Sequence, residues 1–247
     1  MSFAEIPQYV IQRVNYNFKC FYKTKDLQYY LDLLRTISED EKVSVHAYAL
    51  MCNNVHLLVT PRCQDGAARM VKLLGQRYTQ YFNREYCRKG PLWGERFRPC
   101  LVDARPYLLA CQRYIELSPV REGLVTHPAE YVWSSYSVNA LGEHSDILKP
   151  HAVYNALGTN KPHRTEAYRQ MFYEELEARL NDKIGMHTTS GYCLGSDDFK
   201  LEISKMLGRR DVPCNNDGSK EKIQIRSYSH RVRFNSVSEI SDLVPES

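Results

Sequence analysis

The sequence predicts an α+β protein in which helices pack against an antiparallel sheet. The predicted elements follow one another as strand, helix, two consecutive strands, helix, strand and helix, an order typical of this class. The short segment Cys52-Asn53 separates the two consecutive strands, which indicates an antiparallel hairpin. The composition also supports a globular chain, since 43% of its 247 residues are hydrophobic and 25% are charged.

Each element of the first half follows from a local pattern. The segments that predict strands are residues 9–21, with a polar interruption at 15–17, and residues 43–50, 55–60 and 93–102. The segments with apolar residues at helical spacing are residues 26–34, 66–85 and 106–117. Asp26 is suited to cap the first helix, and Pro106 suits the first turn of the third. We expect Pro119 to end that third helix, because proline disfavours helical geometry in the preceding residue.

The second half of the chain has a different composition. After a turn at residues 145–150, helices are predicted at residues 166–180 and 197–207. Beyond them the chain has few large apolar residues and many Ser, Asn and charged residues, a composition typical of mobile segments. We therefore predict a domain of residues 1–142, a helical extension of residues 143–210 and a flexible tail of residues 211–247.

The sequence argues against an integral membrane protein and shows no secretory signal. No stretch reaches the ~20 uninterrupted apolar residues that a membrane-spanning helix needs. Residues 1–7 lack the basic segment and apolar run of a secretory signal. The eight cysteines are irregularly spaced and include no C-x-x-C pair, so we expect reduced thiols in a cytoplasmic protein.

The middle of the chain is basic although the net charge is only +4. Residues 62–121 contain 12 Lys or Arg against five Asp or Glu. Aromatic residues are interleaved with these cations, namely Tyr78, Tyr81, Phe82, Tyr86, Trp93 and Phe97. This pattern fits a surface that neutralises phosphates and stacks bases. The alternative is that the aromatic residues form core and the arginines a solvated face, and composition alone favours that alternative.

A candidate metal site lies on the strand at residues 55–60. Alternation along a strand sends Asn54, His56 and Leu58 to one face, where two polar groups can face a divalent cation together. The alternative is that His56 is a hydrogen-bonded structural residue. A two-residue hairpin loop places Ala49 opposite His56 and sends His46 to the other face, although a slip of one residue would reverse that assignment.

A candidate nucleophile lies near the end of the third predicted helix. Tyr114 is four residues before Ser118, so the two side chains share one helix face. A phenol has a pKa of about 10 and attacks phosphorus only when a metal or a base assists it. The alternative is that Tyr114 packs in the core, like most of the 18 tyrosines.

Several short motifs occur along the chain in a fixed order. They are Val10-Ile11-Gln12-Arg13, His46-Ala47-Tyr48-Ala49-Leu50-Met51, Val55-His56-Leu57-Leu58-Val59-Thr60-Pro61, Tyr81-Phe82-Asn83, Leu92-Trp93-Gly94-Glu95-Arg96-Phe97, Arg113-Tyr114-Ile115-Glu116-Leu117, Pro119-Val120-Arg121 and Tyr131-Val132-Trp133-Ser134-Ser135-Tyr136, with a weaker echo at Leu194-Gly195-Ser196. Together they resemble the REP-associated tyrosine transposases, a branch of the IS200-like, single-tyrosine HUH transposase family.

This resemblance implies a fold and an activity. Members of the family have a ferredoxin-like antiparallel sheet with a histidine-hydrophobe-histidine motif on a central strand. They cleave single-stranded DNA next to imperfect hairpins through a tyrosine that becomes joined to the 5′ phosphoryl end, with Mg²⁺ or Mn²⁺ at the scissile phosphate. By this match Tyr114 is the nucleophile and His56 is the second histidine of the metal motif.

Two departures from the family pattern concern the metal site. The family has histidine where this chain has Asn54, and asparagine where it has Ser118. Both residues can offer a neutral oxygen to Mg²⁺ or Mn²⁺, so the predicted ligands are His56, Asn54 and Ser118. Because two of the three donors differ from those of the family, we expect metal binding to be weakened.

Two functions follow from the resemblance. The first is a transposase that binds hairpins of REP-like palindromes and cuts and rejoins strands, and the second is a descendant that binds such hairpins but cuts poorly or not at all. An unrelated RNA-binding protein of ferredoxin-like fold is a third possibility. The residues predicted to contact DNA are Arg13, Arg69, Lys72, Arg77, Arg84, Arg88, Lys89, Trp93, Arg96 and Arg98. The family implies either a monomer or a homodimer.

Overall fold

The computed structural model describes residues 3–14, 18–94, 98–173 and 178–207, and the structural statements below refer to these ranges. Their strands are β1 (Gln8–Arg13), β2 (Val43–Met51), β3 (Asn54–Pro61) and β4 (Cys100–Leu101). Their helices are α1 (Thr24–Asp40), α2 (Gly66–Glu85), α3 (Ala104–Glu116), α4 (Ser118–Arg121), α5 (Tyr136–Leu141), α6 (Ala152–Asn155), α7 (Lys161–Gln170), α8 (Ala178–Ser190) and α9 (Asp197–Leu207), with a 3-10 helix at Pro128–Glu130. No helix in the described ranges is long and apolar enough to cross a membrane.

The strands form one antiparallel sheet in the order β2-β3-β1-β4. Along the chain the order is β1-α1-β2-β3-α2-β4, so the sheet has the ferredoxin-like arrangement and the predicted fold class is confirmed. β1 and β3 occupy the centre of the sheet. Every residue of β3 is buried, as expected for a central strand that helices cover on both faces.

The two faces of the sheet carry different helices. α1 and α2 pack on one face, against a core that includes Val10 and Leu57. α3 and α8 pack on the other face, against a second core that includes Tyr9 and Leu58. This division follows from the alternation of side chains along β1 and β3. His56 lies on the Leu58 side of β3 and therefore faces α3.

The hairpin of β2 and β3 has the predicted loop and pairs Ala49 with His56, as predicted. A β-bulge at His46 then shifts the alternation of β2, and His46 Nε2 lies 2.8 Å from Thr60 Oγ1, on the His56 face of β3. The expectation that His46 lies on the opposite face is therefore wrong, because one extra residue in a strand reverses the sides. Thr60 is about 13 Å along the strand from His56, so His46 is still not a co-ligand.

Asp26 stabilises the start of α1, but from inside its first turn. The helix begins at Thr24, and the buried Asp26 carboxylate accepts hydrogen bonds from the backbone N–H groups of Tyr22 and Lys23, at 2.9 and 3.0 Å. It also accepts hydrogen bonds from the hydroxyl groups of Tyr81, which lies on α2, and Tyr86, which directly follows α2. One carboxylate thereby caps α1 and joins it to α2.

The predicted strand at residues 93–102 is much shorter in the structure. β4 contains two residues, Cys100 and Leu101, and Trp93 forms an isolated bridge with Val14. Pro99 has no amide hydrogen to donate to a neighbouring strand, which limits β4 at its start. Residues 95–97, which include the predicted DNA contact Arg96, lie outside the described residues, as does the predicted tail at 211–247.

Helix boundaries are predicted well in some places and poorly in others. α2 and α9 have the predicted limits. α3 ends at Glu116 as expected, but Pro119 lies in the first turn of the short helix α4, where its missing N–H costs nothing. The helix predicted at 166–180 is replaced by α7 and α8, because the Asn160 side chain caps α7 earlier and Gly191, with φ of 69°, follows the end of α8.

Candidate active site

Tyr9 connects the two residues that the sequence predicts to carry the chemistry. Its ring centroid lies 5.8 Å from that of His56 and 6.2 Å from that of Tyr114, with an edge-on contact to the latter. Tyr9 comes from β1, His56 from β3 and Tyr114 from α3. The structure therefore brings Tyr114 and His56 to the same face of the sheet, as the sequence-based hypothesis requires.

His56 is held as a neutral imidazole. Burial lowers its pKa to about 3, and the positive charges of Arg13 and Arg121 act in the same direction. His56 Nδ1 lies 2.7 Å from the hydroxyl oxygen of Tyr9. When Nδ1 carries the proton and donates it to Tyr9, Nε2 has a free lone pair, which is the arrangement common to histidines that bind metals.

Tyr9 was not predicted as a site residue, although the alternation of β1 contains the signal. It pairs with Leu58, which lies on the His56 face of β3. Burial, together with the nearby Tyr114, raises the pKa of Tyr9, so its phenol stays protonated at neutral pH. Its hydroxyl can therefore orient His56 without adding negative charge to the site.

The Arg121 guanidinium contacts Tyr114 and Ser118 near the end of α3. Its guanidinium carbon lies 3.7 Å from the centroid of the Tyr114 ring, a cation–π contact. Nη1 donates to the Tyr114 carbonyl oxygen at 2.6 Å, and Nη2 donates to Ser118 Oγ at 2.7 Å. Arg121 belongs to a motif noticed in the sequence, yet its role became visible only when α4 placed it beside Tyr114.

Ser118 is buried, and its hydroxyl group already has two partners. Besides accepting from Arg121, Oγ donates to the Tyr114 carbonyl oxygen at 3.0 Å. Such a bond to the carbonyl four residues earlier is common for serine in helices. The predicted ligand therefore lies next to Tyr114 but its oxygen contacts a cationic side chain.

Asn54 supplies an oxygen that has no partner. The residue is 6% exposed, and its Nδ2 donates to Asn53 Oδ1 at 2.7 Å and to Glu122 Oε1 at 3.3 Å. Its Oδ1 is buried and makes no hydrogen bond. An unpaired amide oxygen is a suitable donor for Mg²⁺ or Mn²⁺, so Asn54 and neutral His56 fit a divalent cation. No group of three or more His, Cys, Asp or Glu in the described ranges is placed to bind one.

The immediate surroundings of this site are electropositive. Arg13 pairs with Asn54 across β1 and β3 and is exposed. Arg121 lies on the other side, against Tyr114. The charges of both arginines act on His56. Two guanidinium groups around a candidate nucleophile are suited to hold the phosphate groups of a DNA backbone.

Helix α8 packs against the candidate nucleophile. A Cβ atom at Gly185 would lie 3.0 Å from the Tyr114 hydroxyl oxygen, so glycine is what allows the phenol to lie against this helix. Ile184 beside it is buried in the same core as Tyr9. Sequence patterns gave no indication of this contact, which joins residues about 70 positions apart.

The predicted DNA contacts on α2 lie on the opposite side of the sheet from Tyr114. The exposed cations of this helix are Arg69, Lys72, Arg77 and Arg84. Because α2 packs on the face that α3 does not cover, these side chains do not join the candidate active site. Arg69 also forms an ion pair with Glu41, with Nε 2.7 Å from Oε2.

A groove of about 640 Å³ runs along α2 beside Trp93. Lys72 and Gln76 line it from the helix, and Gln12 lines it from β1. Trp93 is half-buried, and its Nε1 has no hydrogen-bond partner. Arg13 follows Gln12 and points to the other face of the sheet, so β1 lies between this groove and the candidate active site.

The remaining predicted DNA contacts lie near the ends of these elements. Arg88 donates to the carbonyl oxygen of Pro91 at 2.9 Å and lies over the ring of Phe18. Lys89 and Arg98 are exposed. None of these three is in contact with Tyr114 or His56 in the bonds and ring contacts of the described residues.

The buried carboxylate of Glu116 joins α3, the helix that carries Tyr114, to neighbouring helices. Glu116 accepts hydrogen bonds from Ser135 Oγ at 2.6 Å, Asn139 Nδ2 at 2.8 Å and the Tyr168 hydroxyl at 2.8 Å. Burial raises the pKa of Glu116 to about 7, against these three hydrogen bonds. Because Tyr168 belongs to α7, the C-terminal extension is tied directly to α3 two residues after Tyr114.

Part of the chain is similar to a known protein family. Residues 5–118 match the model of the family described as "Transposase IS200 like". Among solved structures, the chain is similar to a REP-associated tyrosine transposase bound to a REP hairpin, with a TM-score of 0.50 and 13% identity over 61% of this chain and 89% of that one. At that identity the likeness concerns the fold, and no curated protein matches the chain. Residues 5–118 contain the whole sheet and helix α3, and the strand order β2-β3-β1-β4 agrees with their match to the IS200-like transposase family.

Proposed function

We propose that this protein binds single-stranded DNA hairpins and cleaves the adjoining strand through Tyr114. The observation that carries the proposal is the meeting of Tyr114 and His56 around Tyr9, with Arg13 and Arg121 beside them. The family consists of transposases, whose general activity is cleavage and transfer of DNA strands. The neighbour of similar fold is a transposase bound to a REP hairpin, which favours the same class of DNA for this chain.

The proposed reaction exchanges one phosphate ester for another. The Tyr114 hydroxyl oxygen attacks phosphorus and forms a phosphotyrosine bond to the 5′ phosphoryl end, while the bond from phosphorus to the 3′ oxygen breaks. The phenol loses its proton, and the leaving oxygen takes one up to become a free 3′-OH. Attack by a 3′-OH on the phosphotyrosine reverses these steps and rejoins strands without an outside energy source.

The residues around Tyr114 have separate proposed roles. Arg121 and Arg13 hold the phosphate and offset its negative charge. His56, oriented by Tyr9, and Asn54 are proposed to bind Mg²⁺ or Mn²⁺, with Ser118 as the third ligand predicted from the sequence. A bound divalent cation supplies positive charge at the scissile phosphate.

The hairpin is proposed to contact the chain on both sides of β1. Backbone phosphates would contact Lys72, Arg77 and Arg84 on α2, and an unpaired base would stack on or near Trp93 in the adjacent groove. Arg13 would then lead the single strand to Tyr114. Arg69 is less available than the other cations of α2, because it pairs with Glu41.

The alternative is a protein that binds hairpins without cutting them. Two observations favour it: the Ser118 hydroxyl is bound to Arg121, and the Tyr114 hydroxyl lies against Gly185 of α8. Electrostatic contacts and stacking need neither the metal nor the nucleophile, so such a protein would keep its affinity for DNA.

One assay separates the two functions. The full chain is incubated with Mn²⁺ and a single-stranded hairpin that carries a label at its 3′ end, on the fragment that becomes joined to Tyr114, and covalent adducts are resolved on a denaturing gel. We expect an adduct that requires Mn²⁺ and disappears in Tyr114→Phe. Tyr107→Phe is the matched control, because Tyr107 lies on the same helix and is bound to Lys183 instead.

The outcome is read together with a binding measurement on the same hairpin. Tight binding without an adduct in the wild type would support the binding protein and contradict cleavage. An adduct that persists in Tyr114→Phe would contradict the assignment of the nucleophile. Loss of the adduct in Tyr107→Phe as well would show that any such change in α3 abolishes the reaction. The loss in Tyr114→Phe would then not support the Tyr114 phenol as the nucleophile.

A further inference from the structure

We infer that Glu122 is a ligand of the divalent metal in this protein and takes the place predicted for Ser118. The proposed ligand set is His56, Asn54 and Glu122. This inference rests on the proposed function, because it concerns the metal of the same site. It differs from the prediction made from the family pattern, which places the third ligand four residues after the tyrosine.

Ser118 is poorly placed to bind a cation. Its Oγ accepts a hydrogen bond from Arg121 Nη2 at 2.7 Å and donates to the Tyr114 carbonyl oxygen. A divalent cation at this oxygen would lie within a few ångströms of a guanidinium group and would be repelled by it. A neutral hydroxyl offers no charge to offset that repulsion.

Glu122 lies one helical turn after Ser118, on the same face of the helix. The Glu122 amide N–H donates to the Ser118 carbonyl oxygen at 3.0 Å, which is the i to i+4 relation. The longer side chain of Glu122 reaches β3, where its Oε1 lies 3.3 Å from Asn54 Nδ2. The carboxylate is therefore already in contact with one of the proposed ligands.

The amide oxygen of Asn54 has no hydrogen-bond partner and can bind a cation. This side chain is more than nine-tenths buried, and its amide group bonds Glu122 through Nδ2 while Oδ1 has no partner. A buried polar atom without a hydrogen bond is costly unless a ligand pairs with it. A cation bound at Asn54 Oδ1, with the Glu122 carboxylate next to the same amide group, would satisfy this oxygen.

The positive charges around His56 favour a carboxylate as a metal ligand. Arg13 and Arg121 both act on His56, so a divalent cation beside His56 would meet two positive charges. A carboxylate is the ligand that Mg²⁺ and Mn²⁺ bind most readily, and it offsets part of this charge. Among the described residues, Glu122 is the acidic side chain that hydrogen-bonds to one of the proposed ligands.

The test is a direct measurement of Mn²⁺ binding by isothermal titration calorimetry, on the full chain without DNA. We expect Glu122→Gln to weaken Mn²⁺ binding by about 10- to 100-fold, and Ser118→Ala to leave it nearly unchanged. Glu143→Gln, which removes an exposed negative charge elsewhere, is the control for net charge and should bind Mn²⁺ like the wild type. Circular dichroism without metal checks that each variant is folded, and Glu122→Asp provides a second, milder variant with intermediate affinity.

Mn²⁺ affinity of Glu122→Gln equal to that of the wild type would overturn the inference, and so would a loss in Ser118→Ala as large as in Glu122→Gln. Failure of the wild type to bind Mn²⁺ would overturn it too. The adduct assay keeps the two proposals apart. Binding through Glu122 without any adduct leaves the inference standing and contradicts cleavage, whereas an adduct with binding independent of Glu122 does the reverse.

Discussion

Two polar clusters, each built around one buried side chain, lie near the end of α3, and their hydrogen bonds are completed to different degrees. In the first, the Glu116 carboxylate accepts three hydrogen bonds from α5, α7 and the residue before α5. In the second, Asn54 contacts Asn53 and Glu122 but keeps an unpaired Oδ1. The first cluster joins α5 and α7 to α3, and the second lies on the same face of the sheet as the candidate nucleophile.

The difference separates a structural cluster from a functional one. A buried polar group without a partner costs about 1–3 kcal/mol, so folding alone favours clusters like that of Glu116. Such a cost is tolerated where a ligand completes the set, as at binding and catalytic sites. We therefore interpret Asn54 as a residue retained for binding and Glu116 as one retained for stability.

The largest expected effect comes from breaking the completed cluster. Glu116→Ala leaves the donors of Ser135, Asn139 and Tyr168 unpaired in the interior. We expect the free energy of unfolding to fall by about 3–5 kcal/mol, measured by urea denaturation at neutral pH. Glu122→Ala, which removes a carboxylate from the other cluster, should cost less than about 1 kcal/mol. Equal losses in the two variants would contradict the distinction between the clusters.

A smaller effect is expected from His46, which borders the Glu116 cluster through its carbonyl oxygen. Burial lowers the pKa of His46 from 6.5 to about 4. Between these values the unfolded chain binds a proton that the folded chain does not, so this contribution to stability falls as the pH falls below 6.5. From pH 7.5 to pH 5 the loss due to His46 is about 2 kcal/mol.

The measurement compares the wild type with His46→Gln, since other groups such as Glu116 titrate in the same range. The free energy of unfolding of the wild type should fall by about 2 kcal/mol more than that of the variant between pH 7.5 and pH 5. A parallel pH dependence of the two proteins would show that His46 is not held neutral by burial.

The smallest effect on stability is expected in the incomplete cluster. Asn54→Leu removes an unpaired oxygen and fills a similar volume, so the free energy of unfolding should change by less than about 1 kcal/mol. Mn²⁺ binding should nevertheless be lost, because Leu offers no ligand atom. Asn139→Leu is the matched change in the completed cluster and should cost about 2–3 kcal/mol. A large loss of stability in Asn54→Leu would show that Asn54 is structural.

The sequence predicted the elements whose signals are local. The limits of α2 and α9, the hairpin and the pairing of Ala49 with His56 all follow from periodicity or loop length. The family motifs also pointed to Tyr114 and His56, which the structure places on one face of the sheet.

The missed features depend on contacts between distant segments. The bulge at His46 reverses its side of β2, and no local pattern marks it. Tyr9 and Glu122 entered the site because β1 and α4 bring them there, through contacts with His56 and Asn54. Which of the basic residues between 62 and 121 lie near Tyr114 also depended on the fold, since α2 packs on the other face of the sheet.

The amino-acid sequence by itself determined the class of fold and pointed to a family and to residues that could react, because these depend on residue types and short spacings. Tertiary structure decided which of those residues meet, which oxygen atoms already have partners and which one is left without. Those properties are set by packing between segments that are far apart in the chain. The choice between Ser118 and Glu122 as a metal ligand is of this second kind, since it depends on the position of the Arg121 guanidinium.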